Sequence, residues 1–260
     1  MSRARGTTEP RVATVVRSGR LPPAVNMATD EAALRATPDL PSLRLYGWSP
    51  PGLSLGHFQD EREASAALAA FPRAVVVRRP TGGGAIYHDD EVTYALVLPL
   101  ADPLLAGAGL AESYRRLDAP ILAALAALGV DARHRSTMSQ RSQTPMSQRS
   151  RTLSQRSRTP ASGGRRSWEP FYCFDRASRL DVVADDSDGA PRKIAGSAQR
   201  RSRTHLLQHG SVLLSAPLAI SGAIGVNDAL AARGEAPVGF DALAAALERA
   251  FAEVLGLRFD

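Results

Sequence analysis

Apolar residues recur along this chain in two rhythms. Arg11–Val16, Leu43–Trp48, Leu53–Phe58, Ala74–Arg79, Ala85–His88 and Val92–Leu98 are short runs rich in Val, Ile, Leu and aromatic residues. Most are bounded by Gly, Pro, Ser or Asp, the pattern of β-strands. Between them Asn26–Arg35, Glu61–Phe71 and Leu110–Leu128 place Ala and Leu at helical spacing. Asp30 and Glu31 then read as charges in the early turns of the first helix, where they complement its dipole. Ser49-Pro50-Pro51-Gly52 is a turn by composition. Further on, Leu180–Ala184 and Lys193–Gln199 predict a hairpin around Asp185-Asp186-Ser187-Asp188-Gly189. Thr204–Leu214 predicts another strand and Phe240–Val254 an amphipathic helix. Strands mixed with flanking helices indicate an α/β (α+β) domain with a mixed sheet.

One stretch carries neither rhythm. Ser139-Gln140-Arg141-Ser142 recurs at 147–150 and 154–157, each copy followed closely by a threonine. Residues 136–168 have almost no aliphatic side chains, so they cannot bury enough surface to offset their chain entropy. They read as a disordered Ser/Arg/Gln repeat insertion. The same segment explains the charge. Its seven arginines and lack of acids account for the formal +6, and the remaining chain falls to −1. The basic balance therefore does not predict a nucleic-acid partner for the folded part, and no aromatic residues are interleaved with the repeat for base stacking.

At 260 residues the chain has ample surface to bury in a core. No apolar run approaches the ~20 residues that span a bilayer, and the polar start lacks a secretory h-region. A cytoplasmic protein with no membrane partner is the expectation. Cys173 is the sole cysteine, which excludes an internal disulfide and a cysteine-based metal cluster. His57, His88, His134, His205 and His209 show no ligand spacing on a helix, so no metal is expected.

Two features point to chemistry. Gly82-Gly83-Gly84 stands between two strands, where backbone can approach a ligand closely. Arg78 and Arg79 just upstream offer charge to a carboxylate or phosphate. The pattern is neither G-x-G-x-x-G nor followed by G-K-[ST], so it supports neither a dinucleotide fold nor a P-loop. The second feature is Lys193, the only lysine among 32 basic Lys and Arg residues. It is either a codon that escaped arginine bias or a position that needs an ammonium.

Together, residues 78–89 (Arg-Arg-Pro-Thr-Gly-Gly-Gly-Ala-Ile-Tyr-His-Asp), 192–199 (Arg-Lys-Ile-Ala-Gly-Ser-Ala-Gln) and 207–211 (Leu-Gln-His-Gly-Ser) resemble the lipoate-protein ligase and octanoyltransferase family. Asn26–Ala32 and Leu43–Trp48 fit that family's opening blocks. The resemblance runs from roughly residue 20 to residue 215, interrupted only by the repeat. It implies the fold shared with biotin protein ligases, with an acyl tunnel beside the glycine loop. The domain limits become an arm at 1–20, a catalytic domain at 21–135 and 169–260, and the insertion at 136–168.

The family has two branches. Ligases use ATP and Mg to make lipoyl-adenylate, and their matched lysine contacts the acyl carbonyl and the phosphate. Octanoyltransferases take the chain from acyl carrier protein through an enzyme cysteine thioester and need no cofactor. Tyr172-Cys173-Phe174-Asp175 resembles the transferases' Cys-Phe block, and Asp89-Asp90-Glu91 also resembles that branch. Gly84 looks more like the ligase loop. A thiolate is the nucleophile of thioester exchange, and a nearby ammonium favours it. The resemblance thus implies Cys173 as nucleophile and Lys193 as its cationic partner. It implies Arg79, Gly82, Gly83, Gly84, His88, Gly196 and Ser197 around the acyl group. Gln199 is a candidate to position the acceptor, while His209 is expected to order its strand and not to act as a base. The acceptor is expected to be a lysine on a lipoyl-domain protein, such as the glycine-cleavage H protein. A non-catalytic binder of such domains is the alternative from another class.

Overall fold

The computed structural model describes residues 9–135, 173, 178–220 and 222–260. β1 (Arg11–Leu21) runs to Pro22, and Pro23 opens α1 (Pro23–Ala36). A proline in the first turn forfeits no helical hydrogen bond and its fixed φ suits a helix start. The helix therefore begins before the expected Asn26, and Asp30 lies well inside it. It stops at Thr37, which is left-handed (φ 46°), with Pro38 next.

β2 (Ser42–Trp48) and β3 (Gly52–Leu55) flank the expected turn but do not pair, because they belong to different sheets. β3 ends at Leu55, short of the expected Phe58, since Gly56 turns the chain: its N–H donates to Gln59 Oε1 and its carbonyl accepts from Gln59 N–H. The helix expected over Glu61–Phe71 is a 3-10 turn at Glu61–Glu63 followed by α2 (Ala64–Ala70). β4 (Val75–Arg78), β5 (Ile86–His88), β6 (Glu91–Pro99), α3 (Leu110–Ala127) and β7 (Ala132–His134) follow. After the insertion come β8 (Val182–Asp185), β9 (Pro191–Arg201), β10 (His205–Leu213), α4 (Val226–Ala231), α5 (Phe240–Leu255) and β11 (Leu257–Phe259). β7, α4 and β11 are too short to show a period in sequence. The repeat at 136–168 lies outside the described residues, and so do Met1–Thr8 of the arm. Arg11 onward is β1 and belongs to the sheet.

The larger sheet has eight strands in the order β11-β1-β2-β6-β10-β9-β8-β7. β1 is parallel to both its neighbours, and the strands from β2 to β7 pair antiparallel. The smaller sheet is β4-β3-β5. Its middle strand is parallel to β4 and antiparallel to β5. Alternation divides the central strands between two cores. Leu43, Leu45, Val92, Tyr94, Leu96 and Leu98 join α3 and α5 (Leu117, Ile121, Leu125, Leu243, Leu247, Phe251) in the larger cluster. Tyr46, Trp48, Ala95, Val97 and Leu207 pack on Met27 and Leu34 of α1. Burial on both faces explains why β6 reads as a nearly continuous apolar run, while the equally buried β10 carries His205, Gln208, His209 and Ser211, each hydrogen-bonded. Each large side chain so buried contributes about 1.5–3 kcal/mol. Among the described residues, no helix is long and apolar enough to cross a membrane.

Candidate active site

Lys193 reaches its place through a defect in the sheet. Val182 pairs with Ala195 and Val183 with Lys193, which leaves Ile194 as the extra residue of a bulge. Ile194 and Ala195 both join the larger core, and Lys193 is aimed instead at Cys173. The backbone is fixed there by bonds from Lys193 N–H to Gly222 O (2.9 Å) and from Ile224 N–H to Lys193 O (3.0 Å). The side chain is 3% exposed. Its Nζ lies 3.4 Å from Cys173 Sγ, 3.4 Å from Cys173 O and 2.8 Å from Asp181 Oδ1. Burial alone pushes the ammonium down, but Cys173 and Asp181 outweigh it and hold the group above the ordinary lysine value. Asp181 is itself oriented by a bond from Ser178 N–H to Oδ2 (2.7 Å). Cys173 is partly buried, and its N–H donates to Ala85 O (2.7 Å), tying it to the strand that leaves the glycine loop. Its neighbours Tyr172, Phe174 and Asp175 lie outside the described residues.

The glycine loop is wrapped around Arg79. That guanidinium is 3% exposed and donates to Gly82 O (2.7 Å), Gly84 O (2.7 Å), Ser54 O (3.0 Å) and Thr81 Oγ1 (3.2 Å). Only the planar fork of arginine spans acceptors so disposed. Gly83 sits at φ +98°, and a Cβ there would meet Arg79 Nη2 at 2.9 Å. A Cβ on Gly56 would meet Gly83 O at 2.1 Å, so the end of β3 and the loop pack backbone to backbone. A second tie comes from β10. Thr81 Oγ1 accepts from Arg79 and is hydrogen-bonded to His209 Nε2 (2.6 Å), while His209 Nδ1 is hydrogen-bonded to Asp30 Oδ2 (3.1 Å). Asp30 is fully buried and also takes Arg44 Nη1 (2.9 Å) and Tyr46 OH (2.7 Å). Burial first, then the Asp30 charge, pushes the Tyr46 hydroxyl well above its ordinary pKa, so it stays a donor.

Two chambers meet at Cys173. The first holds about 460 Å³ including its mouth, and its walls include Met27, Tyr46, Trp48, Ile86, Thr93 and Ala198. Its mostly apolar lining, with a few polar side chains, is the character of a small-ligand site. On one side His88 stacks on Trp48 (ring centroids 3.9 Å apart) between Ser54 Oγ (2.7 Å) and Glu91 Oε1 (2.8 Å). Burial opposes the charge on Glu91, but His88, Thr93 and Ser211 outweigh it and lower its pKa. The second chamber, about 660 Å³ including its mouth, is lined by Tyr114, Ser178, Leu180, Asp181 and Lys193. Gly83, Cys173 and Ser197 belong to both.

A family model for the lipoyl protein ligase A/B catalytic domain matches residues 22–255. The chain belongs to that family. It is 36% identical to octanoyltransferase LipM of Geobacillus kaustophilus over 76% of its own length, a match spanning 63% of the relative. It is 35% identical to octanoyltransferase LipM of Kyrpidia tusciae over 95% of its length and 88% of the relative. Among solved structures it is similar to lipoate-protein ligase A bound with ATP (TM-score 0.62, 22% identity, covering 97% of this chain and 88% of that one). It is also similar to a bipartite lipoate protein ligase of Thermoplasma acidophilum (TM-score 0.60, 21% identity, 97% and 86%). These likenesses show the fold.

In this member of the lipoyl protein ligase A/B family, the expected site residues converge. Arg79, Gly82, Gly83, His88, Cys173, Gly196 and Ser197 line the first chamber, and Gly84 and Lys193 line the second. Their parts differ from the expectation in three places. Arg79 spends its donors on the loop that it shapes. Gln199 is held by Ser113 (3.0 Å) and Gln208 (2.7 Å). Asp30 is no helix-end charge but the buried hub behind Tyr46 and His209, while His209 orders its surroundings as expected. Asp181 was missed, since one acid after Leu180 carries no local signal.

Proposed function

We propose that this protein is an octanoyl (or lipoyl) transferase of protein lipoylation, working through a thioester on Cys173. The observation that carries the reading is the position of Lys193 Nζ, 3.4 Å from Cys173 Sγ where two chambers meet. The ammonium favours a thiolate at the sulfur and a negative charge on a carbonyl oxygen beside it. The Cys173 thiolate attacks the donor thioester, the new C–S bond forms, the donor's C–S bond breaks, and the donor leaves as a thiolate that takes up a proton from solvent. The acyl chain lies in the apolar chamber between Trp48, Met27 and Ile86. An acceptor amine entering from the second chamber, past Lys193 and Asp181, attacks the same carbonyl carbon, forming an amide and expelling Cys173. The donor is acyl carrier protein and the acceptor a lysine of a lipoyl carrier domain such as the glycine-cleavage H protein, in the cytoplasm. Neither metal nor ATP takes part.

The curated relatives named octanoyltransferase support this reading. The solved ligases, one with ATP, supply the competing one. Mixing the purified protein with octanoyl-acyl carrier protein without ATP is expected to add one octanoyl mass, labile to hydroxylamine and mapping to Cys173. Cys173→Ser is expected to fold and to carry no such adduct. Carrier acylation that appears only with lipoate, ATP and Mg, in wild type and Cys173→Ser alike, would overturn it.

A further inference from the structure

Behind Ser197 lies a buried acid that the mechanism above does not use. Asp118, on α3, is 2% exposed. Its Oδ1 accepts from Ser197 Oγ (2.9 Å), Gln208 Nε2 (2.9 Å) and Tyr94 OH (3.4 Å). Its Oδ2 is buried with no hydrogen-bond partner. An orphaned carboxylate oxygen is expensive, since its desolvation goes uncompensated. Asp118 lines a small cavity with Leu180, Gly196 and Ser197. Leu180 and Ser197 also wall the chamber at Cys173 and Lys193.

The sheet is open at this point. β8 pairs with β9 only as far as Ala195, and β9 continues to Arg201 paired to β10 alone among the described strands. Ser197 therefore lies on an edge just beyond the end of β8. Its hydroxyl donates inward to Asp118 while the residue lines both chambers at the sulfur.

An acceptor lysine arrives as an ammonium and is no nucleophile until it loses a proton. Lys193 is engaged by Asp181 (2.8 Å), and its charge is the one that stabilises the carbonyl oxygen, so another group is required to take the proton in this step. We propose that Ser197 and Asp118 form a proton relay that deprotonates the acceptor ammonium for the second half-reaction. This rests on the transferase reading. The ammonium gives a proton to Ser197 Oγ, which passes its own proton to Asp118, leaving R–NH2 and a carboxylic acid. The amine forms its C–N bond to the thioester carbon, the C–S bond breaks, and the second nitrogen proton goes to the departing Cys173 sulfur. Asp118 then returns its proton to solvent by the same route.

Charge supports the assignment. Burial raises the Asp118 pKa to about 7, although the bonds from Ser197, Tyr94 and Gln208 and the Lys193 charge pull it down. An acid so placed gains and loses a proton near neutrality, as a base working at that pH must. The titratable groups near it are Tyr94 on β6, Tyr114 on its own helix and Lys193 on β9. Tyr94 and Tyr114 are raised, so neither changes charge in the same range, and Asp181 beside Lys193 favours its charged form.

The two half-reactions separate the possibilities. Wild type, Asp118→Asn and Ser197→Ala are each acylated with octanoyl-acyl carrier protein, freed of donor, and mixed with a lipoyl-domain acceptor from pH 5.5 to 9. In Asp118→Asn, transfer from the acyl-enzyme is expected to fall on the order of 10²-fold more than acylation of Cys173 falls. Its transfer rate is also expected to lose the inflection near neutral pH. Ser197→Ala is expected to lose that inflection with Asp118 intact, which serves if Asp118→Asn does not fold. Equal loss in both half-reactions, or an unaltered transfer profile in a folded variant, overturns the relay. Wild type that never acquires the adduct overturns the transferase reading itself.

Discussion

The cation at Cys173 has to be an ammonium for reasons of shape. Lys193 is sealed between Cys173, Asp181 and the backbone of Gly196, where a Cβ would come within 2.5 Å of Lys193 Cε. A guanidinium is longer and planar and cannot turn into the same corner. Lys193→Arg is therefore expected to keep the fold and to slow adduct formation on the order of 10²-fold, read by intact mass against time. Gly196→Ala makes the same point from the other side. The atom it strikes is the free end of a flexible chain, so the melting temperature is expected to move little, while the displaced Nζ costs roughly tenfold in acylation rate. A Gly196→Ala enzyme of full activity would show that the ammonium's position is immaterial. At this scale much was legible. A lone lysine and a lone cysteine in recognisable blocks marked themselves, whereas Asp181, Asp30 and Asp118 did not, because a partner far away in sequence leaves no trace in local pattern.

Among the elements, the glycine loop depends on two neighbours that it does not resemble in sequence. β3 supports it through Gly56, and β10 through His209 and Thr81. Thr81→Val keeps the shape but removes the hydroxyl between Arg79 and His209. It is expected to destabilise the protein by about 1–3 kcal/mol, measured by denaturant unfolding, because His209 Nε2 is left buried without a partner. His209→Ala should lower stability comparably without abolishing the Cys173 adduct; complete loss of the adduct in a folded variant would instead make His209 part of the chemistry. The long strands and helices were readable because two-faced burial and helical spacing repeat over many residues. Their ends were not. Pro23 moved the start of α1, Gly56 cut β3 short, and β2 and β3 went to different sheets across a turn that reads like a hairpin.

On the scale of the whole molecule, the buried Asp118 makes stability depend on pH. Its carboxyl titrates near 7 when folded and near 3.8 ordinarily, so between those values the folded chain holds a proton that the unfolded chain lacks. Stability from this group is therefore full below about pH 4 and declines as pH rises to about 7. The difference is worth on the order of 4 kcal/mol. Asp118→Asn removes it. Relative to wild type, the variant's melting temperature is expected to be higher at pH 8.5 than at pH 5, by several degrees. A difference that is the same at both pH values would show that Asp118 does not titrate in this range.

By itself the sequence determined the α/β class, the order of the major elements and the pairing of glycine loop, cysteine and lysine in one family's pattern. These are local quantities, set by periodicity and by runs of a few residues. Only the tertiary structure decided that Arg79 shapes the loop, that a bulge at Ile194 aims Lys193 at Cys173, and that α3 brings Asp118 up behind Ser197. The last two join residues from separate strands, loops or helices, and which of them meet is fixed by how the layers pack and not by the residues beside them in the chain; the first is local in sequence, but Arg79 is turned inward by Ser54 of the neighbouring strand.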